Sequence, residues 1–167
     1  LLPLVCNCIR QTGFNVGHSV DLMLGARPSA KIISFQLRLK AGSEAGRACT
    51  QGAAIIDNKY PGKHILIYGN SQRTLVHFGR EHGCIGWFFD VVLVDGGHSF
   101  NCAHADILHF RPLARQDAIL IVDDVRGKPA HPWEKGPSRA WQTIVNAGLV
   151  VEDGCDNGLA WGHYVRS

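Results

Sequence analysis

FDVVLVD at residues 89–95 and AILIVDD at residues 118–124 are two apolar runs that end in acids. Continuously apolar runs of this length are typical of parallel strands that are covered on both faces. If the two strands are neighbours, Asp95, Asp123 and Asp124 meet beyond their carboxyl ends, where ligands bind in open α/β sheets. Three carboxylates rarely cluster without a cation, because like charges at close range cannot all stay ionised. The sequence therefore predicts an oxygen-ligated metal site, for Mg²⁺ rather than Zn²⁺.

Strand-like and helix-like stretches alternate along the chain, and repeated βα units imply a parallel sheet with helices on both faces. A short connection between the last two strands implies one antiparallel strand. We therefore predict an α/β fold, with a Rossmann-like, doubly wound, mostly parallel sheet of seven strands whose last strand is antiparallel. The predicted strands are 5–11, 31–37, 64–68, 90–94, 116–122, 150–153 and 159–165, and the predicted helices are 18–25, 43–58, 71–82, 99–113 and 138–147.

The composition is that of an ordinary globular protein, with 167 residues, 46% of them hydrophobic and 19% charged. We treat residues 1–167 as one domain. The first residue is not Met, which indicates a fragment or a processed form, so an N-terminal part with a targeting peptide could have been lost. No apolar run approaches the roughly 18 residues of a membrane span, so no membrane partner is expected.

The net charge of +3 is too small to identify a nucleic-acid binder, and nucleic acid is a disfavoured partner. The six cysteines form no CxxC pair. This pattern favours reduced thiols in an intracellular protein, either cytoplasmic or organellar.

The glycine loop, GFNVGHS at residues 13–19, follows the first predicted strand and opens the first helix. Glycines there allow close backbone approach, and the helix N-terminus offers free N–H groups. This position favours a cofactor role over an ordinary βα turn. Gln36 ends the second strand, where an acid often holds ribose, but it could equally be a surface strand end. Asn70 and Ser71 could cap the next helix and also contact a ligand.

His98 lies three residues after Asp95, so it is a candidate general base on a substrate hydroxyl. The alternative is that it caps the next helix or orients its loop. Asp106 is expected to be structural and Trp141 to lie in the core. Trp133, in the loop 126–137, is a candidate for the mouth of a substrate site. The other histidines show no ligand spacing, which disfavours zinc.

The ordered segments GFNVGHS, IISF, YGNSQRTL, FDVVLVDGGHSF, ILIVDDV and GLAWGHYV resemble the class I S-adenosylmethionine-dependent methyltransferases. Within that class, the chain is most similar to small O-methyltransferases with a DGGHS-type loop and a DD pair. The resemblance covers nearly the whole chain, and it implies seven strands with the last one antiparallel. It also implies S-adenosylmethionine as the cofactor and Mg²⁺ as a less certain one.

The resemblance implies a role for each candidate residue. Asp95, Asp123 and Asp124 would hold the Mg²⁺ that binds the acceptor hydroxyl, lowers its pKa and aligns it with the sulfonium methyl. Asp95 and His98 are the predicted catalytic residues. The glycine loop would surround the methionine part of the cofactor, Gln36 its ribose, and Asn70 with Ser71 its adenine. The full predicted cofactor set is Gln11, Gly13, Phe14, Asn15, Gly17, His18, Ser19, Gln36, Asn70, Ser71 and Asp95.

The chain departs from the family where Gln11, Gln36 and Asn70 replace acids. Losing a charged hydrogen bond weakens cofactor binding by roughly 1–2 kcal/mol at each position. Two hypotheses follow. One is metal-assisted O-methylation of a hydroxyl on a small molecule or sugar. The alternative is a catalytically impaired scaffold subunit of a larger assembly, which could contain RNA, or a homo-oligomer. A dehydrogenase-like nucleotide binder is disfavoured because the GxGxxG spacing is absent.

Overall fold

The computed structural model describes residues 8–40, 42–82 and 89–165, which form one seven-stranded sheet with helices on both faces. In space the strand order is β3-β2-β1-β4-β5-β7-β6. Strands β1 to β5 pair in parallel, and β7 is antiparallel to both of its neighbours. The predicted fold class is confirmed. The strands are β1 (Cys8–Thr12), β2 (Lys31–Gln36), β3 (His64–Tyr68), β4 (Phe89–Val94), β5 (Ala114–Val122), β6 (Val150–Asp156) and β7 (Leu159–Tyr164). The helices are α1 (His18–Ala26), α2 (Glu44–Lys59), α3 (Ser71–His82), α4 (Phe100–Phe110) and α5 (Lys135–Asn146).

Two hydrophobic cores lie on opposite faces of the sheet. Helices α1 and α2 pack on one face, and α3, α4 and α5 pack on the other. Because successive strand residues point to opposite faces, Ile32 belongs to the first core and Ile33 to the second. Trp141 is 2% exposed in the second core, as predicted. Burial on both faces explains why the central strands are continuously apolar.

The three largest differences from the predicted boundaries within the described residues have local reasons. Helix α4 ends at Phe110, and Arg111–Leu113 form a 3-10 turn because Pro112 has no N–H for a helical bond. Helix α5 begins at Lys135, three residues earlier than predicted, since Pro137 is tolerated in a first turn. Strand β6 continues to Asp156, through the predicted turn.

Gly154 lets β6 continue. An ideal Cβ on Gly154 would lie 2.3 Å from the Trp161 ring, so only glycine fits beneath that ring. The predicted first strand began at residue 5, and its first three residues lie outside the described part of the chain. Within that part no helix is long and apolar enough to cross a membrane. The cysteines described there, at positions 8, 49, 102 and 155, are free thiols.

Candidate functional site

The carboxyl ends of three adjacent strands are joined by backbone hydrogen bonds. The N–H of Asp95, after β4, donates to the carbonyl of Thr12 at the end of β1 at 3.1 Å. The N–H of Asp123, after β5, donates to the carbonyl of Val94 at 3.0 Å. These bonds continue the parallel ladder by one residue, and they fix Asp95 and Asp123 side by side at one rim of the sheet.

The three predicted acids lie together, as the strand pattern predicted. Asp95, Asp123 and Asp124 line one small cavity of about 10 Å³, with Gly96, Gly97 and His98 on its other sides. That volume holds little more than one water molecule or a small ion. Burial, followed by the charges of Asp123 and Asp124, raises the pKa of Asp95 to about 7. A bound cation would offset the repulsion among the three acids, and carboxylate oxygens are the donors that Mg²⁺ prefers.

His98 contacts the last of these acids. Its Nε2 lies 2.8 Å from Oδ2 of Asp124, and its side chain is 50% exposed. Burial and Asp123 raise the pKa of Asp124, while His98 acts to lower it. The backbone of Asp124 is left-handed, with φ 58°, and its N–H donates to Oδ1 of Asp123 at 2.7 Å. Asp124 is therefore held toward His98.

The three acids share a cavity without forming a complete ligand set. Among residues 8–40, 42–82 and 89–165, no three His, Cys, Asp or Glu side chains are arranged so that they could hold a metal ion. The metal roles of Asp95, Asp123 and Asp124 and the general-base role of His98 therefore stay predictions.

The glycine loop packs against the acid rim. Gly13 and Gly17 have φ of 82° and 88°, and Asn15 has φ of 51°, so the loop turns through left-handed backbone. An ideal Cβ on Gly13 would lie 1.7 Å from the carbonyl oxygen of Asp95. Only glycine allows this approach. The predicted cofactor half and the predicted metal half therefore form one continuous site.

Two amide side chains hold the glycine loop in shape. Oε1 of Gln36 accepts the N–H groups of Phe14 at 2.8 Å and Asn15 at 2.9 Å, and its Nε2 donates to the carbonyl of Leu37. Gln11 is fully buried; its Nε2 donates to the carbonyl of Gly13, and its Oε1 accepts the Ser19 hydroxyl at 2.9 Å.

These contacts assign the two amides a bracing role that the sequence analysis missed. The Gln11 side chain both donates and accepts, which a carboxylate in its place could not do. The signal was the amide itself at a position where the resemblance implies an acid. In this structure the polar atoms of Gln11 and Gln36 are used within the loop. The predicted direct contact of Gln11 and Gln36 with the cofactor stays a prediction, beside the bracing role that the structure shows.

The side chain of Phe14 is buried, so its predicted contact with the cofactor, which stays a prediction, would have to involve its backbone. Its side chain is 1% exposed and stacks on His64 with ring centroids 5.0 Å apart, inside the first core. The loop turns its apolar residue inward, since a buried ring stabilises the loop. Asn15 and His18 are exposed, and Ser19 is half-buried.

Asn70 and Ser71 lie at the start of α3, as predicted. Oδ1 of Asn70 accepts the N–H of Gln72 at 3.0 Å, and its carbonyl accepts those of Arg73 and Thr74. Asn70 is therefore a helix cap whose side chain is still exposed. Capping leaves contact with a ligand open, so the adenine role of both residues stays a prediction.

The loop after Asp124 is fastened by a buried carboxylate. Glu134, 3% exposed, accepts Nε of Arg126 at 2.6 Å and the N–H groups of Ala130 at 2.6 Å and His131 at 3.0 Å. Trp133 stacks on His131 with ring centroids 4.3 Å apart and planes 6° apart, yet it stays 49% exposed. The loop therefore presents a fixed, half-open aromatic face.

Solved structures with this fold are methyltransferases of low sequence identity. Apo CalS11, a TDP-rhamnose 3'-O-methyltransferase of calicheamicin biosynthesis, is 12% identical with a TM-score of 0.69, over 96% of this chain and 73% of that one. PaMTH1 of Podospora anserina, bound to S-adenosylhomocysteine, is 17% identical with a TM-score of 0.66, over 96% and 72%. MycE of mycinamycin biosynthesis, in complex with Mg, S-adenosylhomocysteine and mycinamycin VI, is 15% identical with a TM-score of 0.63, over 96% and 45%.

The sequence comparison identifies the family, whereas the solved structures show the fold alone. No curated protein matches the chain. The sequence profile of the methyltransferase domain family, however, matches residues 4–125, from the start of the sheet through the acid pair. The chain therefore belongs to the methyltransferase domain family and has the class I fold of the S-adenosylmethionine-dependent methyltransferases.

Proposed function

We propose that the chain transfers the methyl group of S-adenosylmethionine to a hydroxyl of a small molecule or sugar, assisted by Mg²⁺. The observation that carries this proposal is the contact of Gly13 with the Asp95 carbonyl, which joins a glycine loop to an acid rim. A methyl donor and an acceptor hydroxyl must meet in line, and positioning supplies much of the rate of such a displacement. The bound ligands of PaMTH1 and MycE support the choice of cofactor and metal.

On the cofactor side, we expect the chain's own residues to bind and orient S-adenosylmethionine. The glycine loop leaves the N-terminus of α1 facing the cofactor, where N–H groups favour a carboxylate. Gln36 and Gln11 keep that loop in place through the bonds described above. Asn70 and Ser71, at the start of α3, would face the adenine.

On the acceptor side, Asp95, Asp123 and Asp124 would hold the metal. Bound Mg²⁺ would lower the pKa of the acceptor hydroxyl. Because Nε2 of His98 lies 2.8 Å from the carboxylate of Asp124, His98 would take the hydroxyl proton on Nδ1, and Asp124 would stabilise the resulting imidazolium. The hydroxyl oxygen then forms its bond to the methyl carbon as the carbon–sulfur bond breaks. The products are a methyl ether and neutral S-adenosylhomocysteine.

The alternative of an impaired scaffold subunit depended on the three amides. The structure gives two of them, Gln11 and Gln36, a bracing role that is compatible with binding a cofactor. The comparisons support neither the scaffold nor a homo-oligomer or larger complex. We therefore keep the enzyme as the one proposed function.

Isothermal titration with S-adenosylmethionine tests whether the chain binds the cofactor. We expect saturable binding in the micromolar to millimolar range, and no heat at millimolar cofactor would overturn the proposal. A second experiment tests methyl transfer and its need for the metal. It measures the transfer of a labelled methyl group to catechol and to methyl rhamnoside, with Mg²⁺ or with EDTA. Product formation that EDTA leaves unchanged would remove the metal from the mechanism without removing the methyltransferase.

A further inference from the structure

A buried carboxyl group lies beneath the site without a partner. Asp106 of α4 is 0% exposed, and neither of its side-chain oxygens forms a hydrogen bond. Burial raises its pKa to about 6, so at neutral pH the group is largely ionised inside the protein. An ionised, unpaired carboxylate destabilises the folded state. Buried unsatisfied groups of this kind call for an explanation other than stability.

The surroundings of Asp106 connect it to the site. An ideal Cβ on Gly96 would lie 3.1 Å from Oδ2 of Asp106 and 3.2 Å from Oγ1 of Thr12. The Thr12 hydroxyl is itself buried without a partner. The hydroxyls of Ser71 and Thr12 lie close enough to act against the rise in the pKa of Asp106, although neither forms a hydrogen bond of normal geometry with it.

These neighbours come from three different parts of the cofactor site. Thr12 immediately precedes the glycine loop, Ser71 opens α3, and Gly96 follows Asp95. Asp106 is therefore a single group in contact range of the segments that follow β1, β3 and β4. Among the residues that act on its pKa, none is a Lys, Arg or His of the described chain. Tyr164 is also within range, because Asp106 contributes to raising the Tyr164 pKa.

The cofactor explains why a negative charge would be useful here. S-adenosylmethionine carries a positive sulfonium, whereas its product carries a neutral sulfide. The amides Gln11, Gln36 and Asn70, which stand at positions predicted to contact the cofactor, supply no charge. A carboxylate in a low-dielectric interior acts on a nearby cation more strongly than it would in water. Costly charges that are retained in this way cluster at functional sites.

We propose that Asp106 is a positioning residue of the cofactor site, whose buried carboxylate favours the sulfonium form of the cofactor. It also offers the acceptor to which the Thr12 and Ser71 hydroxyls bond when the cofactor orders the surrounding loops. This inference rests on the proposed function, because it needs S-adenosylmethionine to bind at the glycine loop. It adds a negative charge beneath a site whose predicted cofactor residues Gln11, Gln36 and Asn70 are neutral amides.

The test compares the two forms of the cofactor in the variant Asp106→Asn, which removes the charge at constant size. We expect its melting temperature to rise, since a buried charge is lost. Isothermal titration should show S-adenosylmethionine binding about tenfold more weakly, while S-adenosylhomocysteine loses less than about twofold. Asp117→Asn is the matched control, because Asp117 is an exposed acid of β5, and it should change neither affinity.

The outcomes separate this inference from the proposed function. An equal loss of affinity for both ligands in Asp106→Asn would show a structural role alone and overturn the inference. The variant Asp106→Ser, measured in the same way, decides the matter if the asparagine variant does not fold. If the unchanged chain binds neither ligand, the proposed function falls and the inference falls with it.

Discussion

The carbonyl oxygen of Asp95 occupies the place where Gly13 would carry a side chain, 1.7 Å from the ideal Cβ position. The acid rim and the glycine loop therefore pack backbone to backbone. A shift of the glycine loop toward the acid rim would therefore displace the backbone of Asp95. Because of this contact, we expect the acid rim and the glycine loop to act on the same two substrates, the methyl donor and the acceptor.

The first prediction concerns Gly13→Ala. Its methyl group would collide with the Asp95 backbone, so the loop must shift away from the rim. We expect a loss of S-adenosylmethionine affinity beyond about tenfold and a loss of stability of roughly 3 kcal/mol or more. Titration calorimetry and urea unfolding measure the two effects.

Gly62→Ala is the matched control for Gly13→Ala. Gly62 also has left-handed backbone, with φ 70°, but nothing lies within 4 Å of its ideal Cβ. Its replacement should cost only about 1–2 kcal/mol, the price of the backbone conformation. Equal losses of stability in the two variants would contradict the importance of the Asp95 contact.

The second prediction separates the two bracing amides. Gln11→Glu replaces the Nε2 donor to the Gly13 carbonyl with a buried oxygen, so it should destabilise the chain by about 1–3 kcal/mol. Gln36→Glu keeps both accepted N–H bonds and should cost less. Urea unfolding of the two variants at pH 8 gives the comparison. A larger loss for Gln36→Glu would show that its bond to the Leu37 carbonyl, rather than the loop, matters most.

The sequence predicted the seven strands and the clustering of the three acids because both follow from continuous patterns. Two apolar runs that end in acids became β4 and β5, and Asp95, Asp123 and Asp124 line one cavity. The amide and phenyl side chains were harder to place. Gln36 reaches back over the loop that follows a different strand, and Phe14 turns inward onto His64. Such contacts depend on residues far apart in the chain, which no local pattern encodes.

The surroundings of Asp106 were also not predictable from the sequence. The sequence placed it on a helix, where a structural role was the reasonable prediction. Its position under Gly96, beside Thr12, depends on how α4 packs against the ends of β1 and β4. Only the packed structure shows that a charge is buried there.

The third prediction is that Mg²⁺ binding depends on pH. Asp95 has a pKa of about 7 in the folded chain, and a proton on it must leave before a metal can bind. The affinity should therefore fall as pH falls through 7, by about tenfold between pH 8 and pH 6. Titration with MgCl₂ at both pH values measures it. Asp95→Asn should abolish binding, whereas Asp153→Asn, at an exposed acid, should not; pH-independent binding would exclude Asp95 as a ligand.

The fourth prediction gives the sign of the stability change with pH at Asp106. Its pKa is raised from 3.8 to about 6 in the folded state, so the unfolded chain ionises first as pH rises. The folded state should lose up to about 3 kcal/mol of stability between pH 4 and pH 7 through this group. Asp106→Asn should remove that part of the pH dependence. Unfolding curves at pH 4.5 and 7.5 that change identically in both chains would contradict it.

The fifth prediction concerns Trp133, which stacks on His131 and is 49% exposed. Glu134 also acts on the pKa of Asp124, which places the base of this loop within electrostatic range of the acid rim. A rigid aromatic face beside a site of hydroxyl methylation suits the flat face of an aromatic ring or a sugar. Trp133→Ala should therefore raise the KM for catechol roughly fivefold and leave S-adenosylmethionine affinity unchanged.

Trp133→Phe should recover most of the catechol affinity, since it restores a flat apolar ring at the same position. Trp161→Phe serves as the control, because Trp161 is also partly exposed but covers Gly154 in the β6–β7 pair. Its KM for catechol should equal that of the unchanged chain. If Trp133→Ala lowers the affinity for the cofactor and for catechol together, the loop acts by holding Asp124. Acceptor recognition would then have to come from another part of the rim.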